Sequence, residues 1–454
     1  MKILILGAGV MGSSVADALA SEENDIVVVD LKPQLLDALK ERFDIGTVSG
    51  NAAHPSILEQ AGVKQADIVI AVTDSDETNM LACLIINALY NRPKTIARVR
   101  AIDYLQHPHM FSSTGIPVDH VISPEQIVME SIRNLIEYPG VLHISDFAGG
   151  IVRLFSLKVL SDGFLTGKKI KDIKERLADG KIRIVAIFRQ GAPLQVNGNA
   201  SVESGDEVFI VAPREEVRRV LKALNKLEAP LKRVIIAGGG HIGKRLAMAL
   251  ENNHQVKIIE KDIRRAKKIS AELSKTVVLK GDCADESLLL DESVDSADLF
   301  CAITDNDGVN LISASLAKSL GARKTICLLN HISYSKLLSA TSIDVAVFPN
   351  QETLGSILKY VRRGDVAQVS SLCGGTAEAI EAVAHQNNGI DSVVGKKVET
   401  IQFPPGIVMG ALIRKGEVIS IHHDSVFEEN DHVVMFAMDK KLISNIEKIF
   451  QPLT

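Results

Sequence analysis

Short runs of consecutive apolar residues alternate along this chain with stretches whose apolar positions recur every three or four residues. The apolar runs cover 3–6, 26–30, 45–49, 67–72 and 95–99, and a second series covers 234–237, 256–260, 276–279, 298–303 and 325–329. Short apolar runs between helical patterns are typical of parallel strands that helices cover on both faces. The pattern therefore predicts two α/β units, each a Rossmann-like, doubly wound parallel sheet.

The stretch after each sheet has a different pattern. Residues 152–159, 182–189 and 207–211 are strand-like, residues 170–178 are helical, and the sequence Gln-Gly-Ala-Pro at 190–193 is typical of a turn. A weaker copy of this stretch follows the second sheet, with Gly-Lys-Lys at 167–169 and again at 395–397. We therefore expect a small α+β module behind each sheet.

A long internal repeat organises the chain. Equivalent landmarks recur 231 residues apart, and these pairs are Gly7 and Gly238, Gly50 and Gly281, Thr73 and Thr304, and Asn79 and Asn310. Proline, glycine and charge breaks at 138–140, 227–230 and 362–364 are typical of linkers. The sequence predicts four domains: 1–140 with a crossover helix, 141–227, 232–364 and 365–454.

Composition narrows the function classes. The 454 residues carry 51 basic and 56 acidic side chains, so the net charge of −5 gives no electrostatic reason to bind nucleic acid. Aromatic residues make up 4%, and tryptophan is absent, which argues against stacking platforms for bases. No apolar run has the length of a membrane span or of a signal peptide. The five cysteines include no Cys-x-x-Cys pair, which indicates a reducing, cytoplasmic protein without a zinc site.

The first candidate site is a glycine motif between a strand and a helix. It consists of Gly7, Ala8, Gly9, Val10, Met11 and Gly12. In such a G-x-G-x-x-G motif the glycines allow a tight turn, the approach of a pyrophosphate, and close helix–strand packing. The helix N-terminus supplies free N–H groups to the phosphates. Asp30, 18 residues after Gly12, is placed to accept hydrogen bonds from a ribose.

The second sheet repeats the motif with Gly238, Gly239, Gly240, His241, Ile242 and Gly243. Its acid is Glu260, and an acid at this position favours NAD, ADP or ATP over NADP. The cations Lys261, Arg264 and Arg265 follow and could weaken that preference, although a solvated helix face explains them more simply. His241 either touches a phosphate or has no role.

Polar residues at other strand ends complete the candidate sites. Asn51 and Asp282 follow the third strands, and Thr73 and Thr304 follow the fourth strands, where doubly wound sheets bind ligands. Residues 74–78 are rich in acids and hydroxyls. We expect helix capping to explain Asp76 or Glu77 better than a metal would.

No catalytic residues emerge from the pattern. The chain has no Tyr-x-x-x-Lys, G-x-S-x-G, H-E-x-x-H or Walker-type lysine motif. The close histidine pairs at 107 and 109 and at 422 and 423 indicate loops or surface more than a metal site. A non-enzymatic role is the prediction. The alternatives are an NAD-dependent oxidoreductase and a nucleotide sensor that acts on some other partner.

The tandem glycine motifs, the Thr-Asp-Ser-Asp-Glu-Thr-Asn sequence at 73–79 and the Ala-Arg-Val-Arg sequence at 97–100 resemble those of the TrkA family. Its members are peripheral NAD-binding subunits of Trk potassium uptake systems and consist of two RCK domains. The resemblance covers the whole chain. It implies a homotetrameric ring of eight RCK domains on the cytoplasmic face of a TrkH- or TrkG-type membrane subunit, where NAD(H), with ATP or ADP as further candidates, gates potassium uptake.

The resemblance also implies which residues hold the nucleotide. In the first unit they are residues 7–11 with Asp30, Asn51, Ala52, Thr73, Asp74 and Arg98, and in the second unit residues 238–242 with Glu260, Asp282, Cys283, Thr304 and Asp305. Glu125 corresponds to an acid that RCK relatives can use near a nucleotide-linked cation. The family also exchanges a helix near 123–138, which makes that segment a candidate hinge.

The two candidate sites differ at two matched positions. Alignment of the fifth strands places Leu328 where the first unit has Arg98, and Asn350 where it has Glu125. A bidentate arginine–phosphate contact contributes about 1.5–3 kcal/mol. We therefore expect the first site to favour polyphosphates, and the second site to favour a dinucleotide or to bind weakly.

Overall fold

The structure is a computed structural model that describes residues 1–20, 24–90, 93–112, 114–177, 180–194, 196–338, 341–362, 365–386 and 393–450. Contacts divide the chain into two compact units. Unit 1 contains Met1–Pro124 and Asn350–Arg362, and unit 2 contains Glu125–Pro349 and Arg363–Thr454. The expected domain boundary at residues 363–364 and the end of the last domain at 454 lie outside the described residues.

Among the residues that the structure describes, the first half of the chain forms eleven strands and eight α-helices. In chain order they are β1 (Lys2–Leu6), α1 (Val10–Ala20), β2 (Asp25–Asp30), α2 (Pro33–Lys40), β3 (Gly46–Ser49), α3 (Pro55–Gln60), β4 (Ile68–Ala71), α4 (Asp76–Leu89), β5 (Lys94–Arg98), α5 (Ile102–Leu105), β6 (His120–Ile122), α6 (Pro124–Glu137), β7 (His143–Phe147), β8 (Val152–Lys158), α7 (Ile170–Leu177), β9 (Arg183–Arg189), β10 (Ala192–Leu194), β11 (Glu207–Pro213) and α8 (Val217–Ala223).

The second half repeats this order, except that the described residues between 383 and 407 contain a 3₁₀ turn at Val398–Thr400 where the first half has α7. Its elements are β12 (Arg233–Ala237), α9 (His241–Leu250), β13 (Gln255–Glu260), α10 (Ile263–Glu272), β14 (Val277–Lys280), α11 (Glu286–Asp291), β15 (Leu299–Ala302), α12 (Asp307–Ser319), β16 (Lys324–Leu328), α13 (Ser335–Leu338), β17 (Val345–Val347), α14 (Pro349–Val361), β18 (Val366–Leu372), β19 (Ala377–Val383), β20 (Ile407–Arg414), β21 (Glu417–Ile419), β22 (His432–Ala437) and α15 (Ile443–Phe450).

Two parallel sheets with the same strand order carry the glycine motifs. The orders are β3-β2-β1-β4-β5-β6 and β14-β13-β12-β15-β16-β17. Every residue of the central strands β4 and β15 is buried, as expected where helices cover both faces. The chain reverses direction across the sheet between β1 and β4 and between β12 and β15, and ligands bind at such switch points. The predicted Rossmann-like fold is confirmed.

The helix that follows each sheet packs in the unit of the other sheet. Helix α14 lies in unit 1, where the Lys94 ammonium donates to the Tyr360 carbonyl at 3.2 Å and the His120 ring stacks on the Tyr360 ring at 3.6 Å. From Glu125 onward α6 belongs to unit 2, where the buried Lys324 ammonium donates to the Pro139 carbonyl. Equivalent lysines at the starts of β5 and β16 thus hold the ends of the exchanged helices. The four-domain boundaries remain a prediction, because these units divide the chain differently.

The two small modules are antiparallel sheets, with orders β10-β9-β11-β8-β7 and β18-β19-β22-β20-β21. Both belong to unit 2, and they share one apolar core in which the rings of Phe188, Phe209 and Phe436 meet. Each module also contains the same internal ion pair, Arg189 with Asp206 and Arg414 with Asp431. The expected α+β modules are confirmed. The edge strands β7 and β10 of the first module were not predicted, and Ala192 and Pro193 of the expected turn belong to β10.

Candidate functional site

The first glycine loop joins β1 to α1 and has the geometry of a phosphate cradle. Gly7 has a φ of +111°, and a Cβ there would lie 2.9 Å from the Thr73 nitrogen. A Cβ on Gly12 would lie 1.8 Å from the Gly7 carbonyl oxygen, so only glycine lets the helix approach. Gly9 has no atom within 4 Å of its missing Cβ. The loop is therefore packed tightly at its two ends and open at its middle, where a pyrophosphate would lie.

The second glycine loop, between β12 and α9, repeats these features. Gly238 has a φ of +109°, and a Cβ on Gly243 would lie 2.0 Å from the Gly238 carbonyl oxygen. Gly240, which caps α9, again has no atom near its missing Cβ. His241 is exposed at the first position of that helix. Val10 and Met11 in the first unit, and Ile242 in the second, lie in the first turns of the two helices.

The strand-end acids hold the glycine loops. The Asp30 carboxylate accepts hydrogen bonds from the Ala8 amide at 2.7 Å and the Lys32 amide at 2.8 Å. Glu260 accepts the matching bonds from the Gly239 amide at 2.9 Å and the Asp262 amide at 2.8 Å.

The longer Glu260 side chain fits because the second loop has glycine where the first loop has alanine. A Cβ on Gly239 would lie 3.0 Å from the Glu260 carboxylate and 2.6 Å from Ile269, whereas the first loop carries Ala8 opposite the shorter Asp30. The second site thus has one more methylene in its acid, Glu260, and lacks the side-chain methyl group in its loop, at Gly239. Each carboxylate also keeps acceptor capacity that a ribose hydroxyl could use.

Buried asparagines tie the fourth and fifth strands together, and sequence reasoning did not place them in the sites. The Asn79 side-chain amide donates to the carbonyls of Thr73 and Arg98, and its oxygen accepts from the Thr73 amide at 2.9 Å and hydroxyl at 2.7 Å. Asn310 makes the same bonds to Thr304 and Leu328. Both asparagines recur at the 231-residue offset of the repeat, and this recurrence is the sequence feature that could have indicated their role. They fix the backbone at the carboxyl ends of these neighbouring strands.

In the acidic stretch after β4, the residue that caps the helix differs from the predicted one. Ser75, rather than Asp76 or Glu77, is the N-cap of α4, since its hydroxyl accepts from the Thr78 amide at 3.0 Å. Asp76 is buried and accepts from the amides of Arg100 and Ala101, both at 2.8 Å. It therefore holds the loop after β5. Asp307 does the same in the second unit through the amides of Asn330 and His331.

Arg98 and Asp74 lie at the carboxyl edge of the first sheet. The Arg98 guanidinium is 3.7 Å from the Asp74 carboxylate, and Asp74 is 94% exposed while Arg98 is 17% exposed. Asn51 accepts from the Ala53 amide at 2.9 Å in an Asx turn, and the neighbouring Ala52 is buried. The structure thus brings the expected first-site residues, apart from Glu125, together in unit 1.

The second site has two ion pairs whose cations, Lys261 and Arg265, correspond to the uncharged Leu31 and Leu35 of the first site. The Lys261 ammonium is 2.9 Å from the Asp282 carboxylate, and this contact raises the pKa of Lys261 and lowers that of Asp282. The Arg265 guanidinium is 3.4 Å from the Glu260 carboxylate. Both cations are nonetheless largely exposed, Lys261 at 81% and Arg265 at 55%, so the expectation of a solvated helix face stays a prediction.

Three further expected residues have defined positions. Glu125 lies in unit 2, where its charge acts on the buried Arg245 of α9, so it is not grouped with the other first-site residues. Cys283 is buried, and burial raises the pKa of its thiol. Asp305 is exposed at the carboxyl edge of the second sheet.

Other candidate chemistry is sparse within the residues that the structure describes. They contain no group of three or more histidine, cysteine or acidic side chains arranged to hold a metal ion. All five cysteines are free thiols, and burial raises the pKa of Cys83 to about 12. None of the described helices combines the length and apolar character that crossing a bilayer requires.

Comparisons with known proteins agree with this architecture. The family model of the TrkA-N domain matches residues 3–124 and 234–349, and that of the TrkA-C domain matches 154–225. The Trk system potassium uptake protein TrkA of Halomonas elongata is 44% identical over 99% of this chain and 99% of its own length. The protein of that name from Vibrio alginolyticus is 44% identical over 100% of this chain and 99% of its own.

Solved structures show the same fold. The GsuK RCK domain matches with a TM-score of 0.61 at 17% identity, over 99% of this chain and 94% of that chain. The GsuK channel bound to NAD matches with a TM-score of 0.60 at 18% identity, over 99% of this chain and 78% of that one. The paired Rossmann sheets and small modules therefore have the fold of paired RCK domains. More specifically, the chain belongs to the TrkA family.

Proposed function

We propose that this protein is the nucleotide-binding regulatory subunit of a potassium uptake system. The proposal rests on one feature that occurs twice. Each Rossmann sheet has a glycine loop that is open at its middle, and a strand-end acid that holds this loop in place. The family membership supports the link to potassium uptake, because the relatives are named as Trk system potassium uptake proteins. The role is regulatory and not enzymatic.

The proposed ligands are NAD(H) at the glycine loops and ATP or ADP as competitors. Each loop offers backbone amides at a helix N-terminus to a pyrophosphate and an acid to the ribose. The fold neighbour GsuK has been solved bound to NAD and, in another structure, bound to ADP. Arg98 would favour the more highly charged polyphosphate at the first site, and Leu328 offers no such contact at the second.

The proposed assembly is a homotetramer, a ring of eight RCK units on the cytoplasmic face of the membrane. Its partner would be a TrkH- or TrkG-type membrane subunit that translocates potassium. Nucleotide binding would then shift the ring between two states that differ in affinity for the ligand, and the membrane subunit would respond to that shift.

Potassium flux through the reconstituted complex tests this function. Proteoliposomes that contain a TrkH-type subunit and this protein are assayed with NADH, ATP, ADP or no nucleotide. We expect flux to depend on nucleotide. Gly9→Glu and Gly240→Glu provide matched variants, because each adds a negative side chain into open space where the phosphates would lie.

Both variants should fold normally, bind less nucleotide and lose part of the response. Flux that is indifferent to every nucleotide would refute the regulatory role. Sedimentation of the purified protein at the mass of a monomer or dimer, under all nucleotide conditions, would refute the ring.

A further inference from the structure

A cavity of about 350 Å³ lies within unit 2, at the end of α9 that is opposite to the second glycine loop. The length of α9 separates the two by about 15 Å. The cavity walls come from the ends of α6 and α9, from α8, and from the segments 138–140 and 227–231. Sites for small molecules span about 300–1,000 Å³, so this cavity is large enough for a small metabolite.

The backbone around the cavity is held in place by close contacts. The buried Lys324 ammonium donates to the Pro139 carbonyl, which anchors the first segment to β16. A Cβ on Gly140 would overlap the Lys226 carbonyl oxygen, so the chain before the second segment passes directly against the first. The cavity is therefore largely preformed, and a ligand would not have to order a loose loop in order to bind.

Much of the cavity lining is apolar. The side chains of Ile136, Leu221, Leu231 and Leu250 line the cavity and are buried. Leu227 lines it as well, and this side chain is 50% exposed. Removal of apolar surface from water favours a ligand with an apolar body, which would also cover Leu227.

The two acids of the cavity already face donors or cations of the protein. Glu137 accepts from the Tyr138 hydroxyl, and its charge acts on the buried Arg153, whose guanidinium lies 4.8 Å from the centre of the Tyr138 ring. Burial lowers the pKa of the Lys324 ammonium, and the Glu228 charge opposes that effect. Both carboxylates are therefore engaged with groups behind the cavity wall and are less available to a ligand.

The two arginines of the cavity are not engaged in this way. Neither Arg133 nor Arg218 forms an ion pair within the part of the chain that the structure describes, whereas the adjacent Arg219 pairs with Glu216. The Arg218 guanidinium donates to the Tyr138 hydroxyl and lies 5.6 Å from the centre of that ring, which fixes its position. A guanidinium has five N–H donors, so both arginines keep donors for a carboxylate.

We infer that this cavity is a second ligand site, which binds a small amphipathic carboxylate with its apolar body on the leucines and its carboxylate on Arg133 and Arg218. The ligand would contact α6, α8 and α9 at once. Because α6 is an exchanged helix, a bound ligand would stabilise the position of that helix. The inference adds a ligand class to the nucleotides and does not depend on their proposed role.

Ligand-detected NMR titration of the full-length protein, with three probes that share one apolar body, tests the inference. The probes are phenylbutyrate, phenylbutanol and phenylbutylamine, which are negative, neutral and positive at neutral pH. We expect phenylbutyrate to bind with a Kd of about 0.1–1 mM, and about tenfold tighter than phenylbutanol, the effect of one charge-assisted contact. Phenylbutylamine should bind more weakly still. The double variant Gly9→Glu with Gly240→Glu should keep this order, because neither glycine loop lines the cavity.

Arg133→Gln and Arg218→Gln should each weaken phenylbutyrate binding about tenfold and change phenylbutanol binding by less than about threefold. Lys222→Gln is the matched control, since it removes an exposed cation of α8 that does not line the cavity, and it should change neither. Ala249→Phe adds a ring at an exposed position of the cavity wall and should weaken binding of every probe.

Equal binding of phenylbutyrate and phenylbutanol would overturn the inference, as would no binding of phenylbutyrate at millimolar concentration. A loss in Lys222→Gln equal to that in Arg218→Gln would show a general charge effect and would also overturn it. Undiminished binding by Ala249→Phe would place the probe elsewhere, with the same consequence. None of these outcomes bears on the nucleotide dependence of potassium flux, which tests the proposed function separately.

Discussion

The hydroxyl oxygens of Ser145 and Ser370 lie 2.8 Å apart, and these two serines occupy equivalent positions in the two small modules, 225 residues apart. A local two-fold axis between the modules would bring equivalent atoms together in this way. The two modules therefore pair within one chain as the subunits of a symmetric homodimer would. Departures from that symmetry mark places where the two halves have specialised.

One such departure predicts a pH effect. His143 contacts Ser145 and Ser370, and burial lowers its pKa to about 4, whereas the equivalent residue in the second module is Gln368. Between pH 6.5 and 4 the unfolded chain binds a proton at His143 that the native state does not. The free energy of unfolding is therefore unaffected by this group above pH 6.5, and it falls as the pH drops from 6.5 toward 4. The loss from this residue is about 1.4 kcal/mol per pH unit in that window.

His143→Gln copies the second module and should remove that part of the loss. Urea unfolding at pH 7 and pH 5 would show it, with the wild type losing about 2 kcal/mol more than the variant. Parallel losses in the two proteins would contradict the assignment.

The size match between each strand-end acid and its glycine loop predicts that a second substitution can restore the stability lost by a first one. Gly239→Ala forces a methyl group against Glu260 and Ile269, and overpacking of this kind costs about 1–3 kcal/mol. Adding Glu260→Asp recreates the pair found in the first site, Ala8 with Asp30, and should recover most of the loss. Gly240→Ala, which meets no atom within 4 Å, is the control and should be close to neutral. Thermal unfolding of the four proteins measures these effects, and absence of rescue would contradict the compensation.

The buried asparagines predict a large loss of stability. Asn310→Ala leaves the carbonyls of Thr304 and Leu328 without their donor, and each orphaned buried group costs about 1–3 kcal/mol. Asn79→Ala should be similar in the first unit. Removal of the Ser75 cap should cost only about 1 kcal/mol. Denaturant unfolding compares them, and a loss at Asn310 no larger than that at Ser75 would show that the amide bridge is unimportant.

Arg98 predicts nucleotide selectivity at the first site. In the Gly240→Glu background, Arg98→Ala should weaken ATP binding by tenfold or more and NADH binding by less, because it removes a charge-assisted phosphate contact of about 1.5–3 kcal/mol. Arg42→Ala is the control, since it removes an exposed cation of unit 1 that is not among the expected site residues, and it should leave ATP binding unchanged. Unchanged ATP affinity in Arg98→Ala would exclude the contact.

The sequence predicted five of the six strands of each parallel sheet and both glycine loops, because short apolar runs and G-x-G-x-x-G motifs are local patterns. The three-residue strands β6 and β17 were not predicted. The sequence could not show that Asp76 holds the loop after β5, since that bond joins residues 24 positions apart and competes with a capping pattern that looks equally good. It also left the orientation of Lys261 and Arg265 open, because a helix face and a site edge have the same composition. The grouping of Glu125 with Arg245 depends on which unit α6 joins, which is a tertiary property.

The exchange of helices has a consequence for the order in which the protein can be made. Unit 1 begins at the first residue but includes Asn350–Arg362, with Tyr360 held by Lys94 and His120. A ribosome therefore finishes the first sheet long before it supplies the helix that covers it. During that interval the nascent chain carries an unfinished apolar surface, and a gene cut between the two repeats would encode two halves that each lack a part of their core.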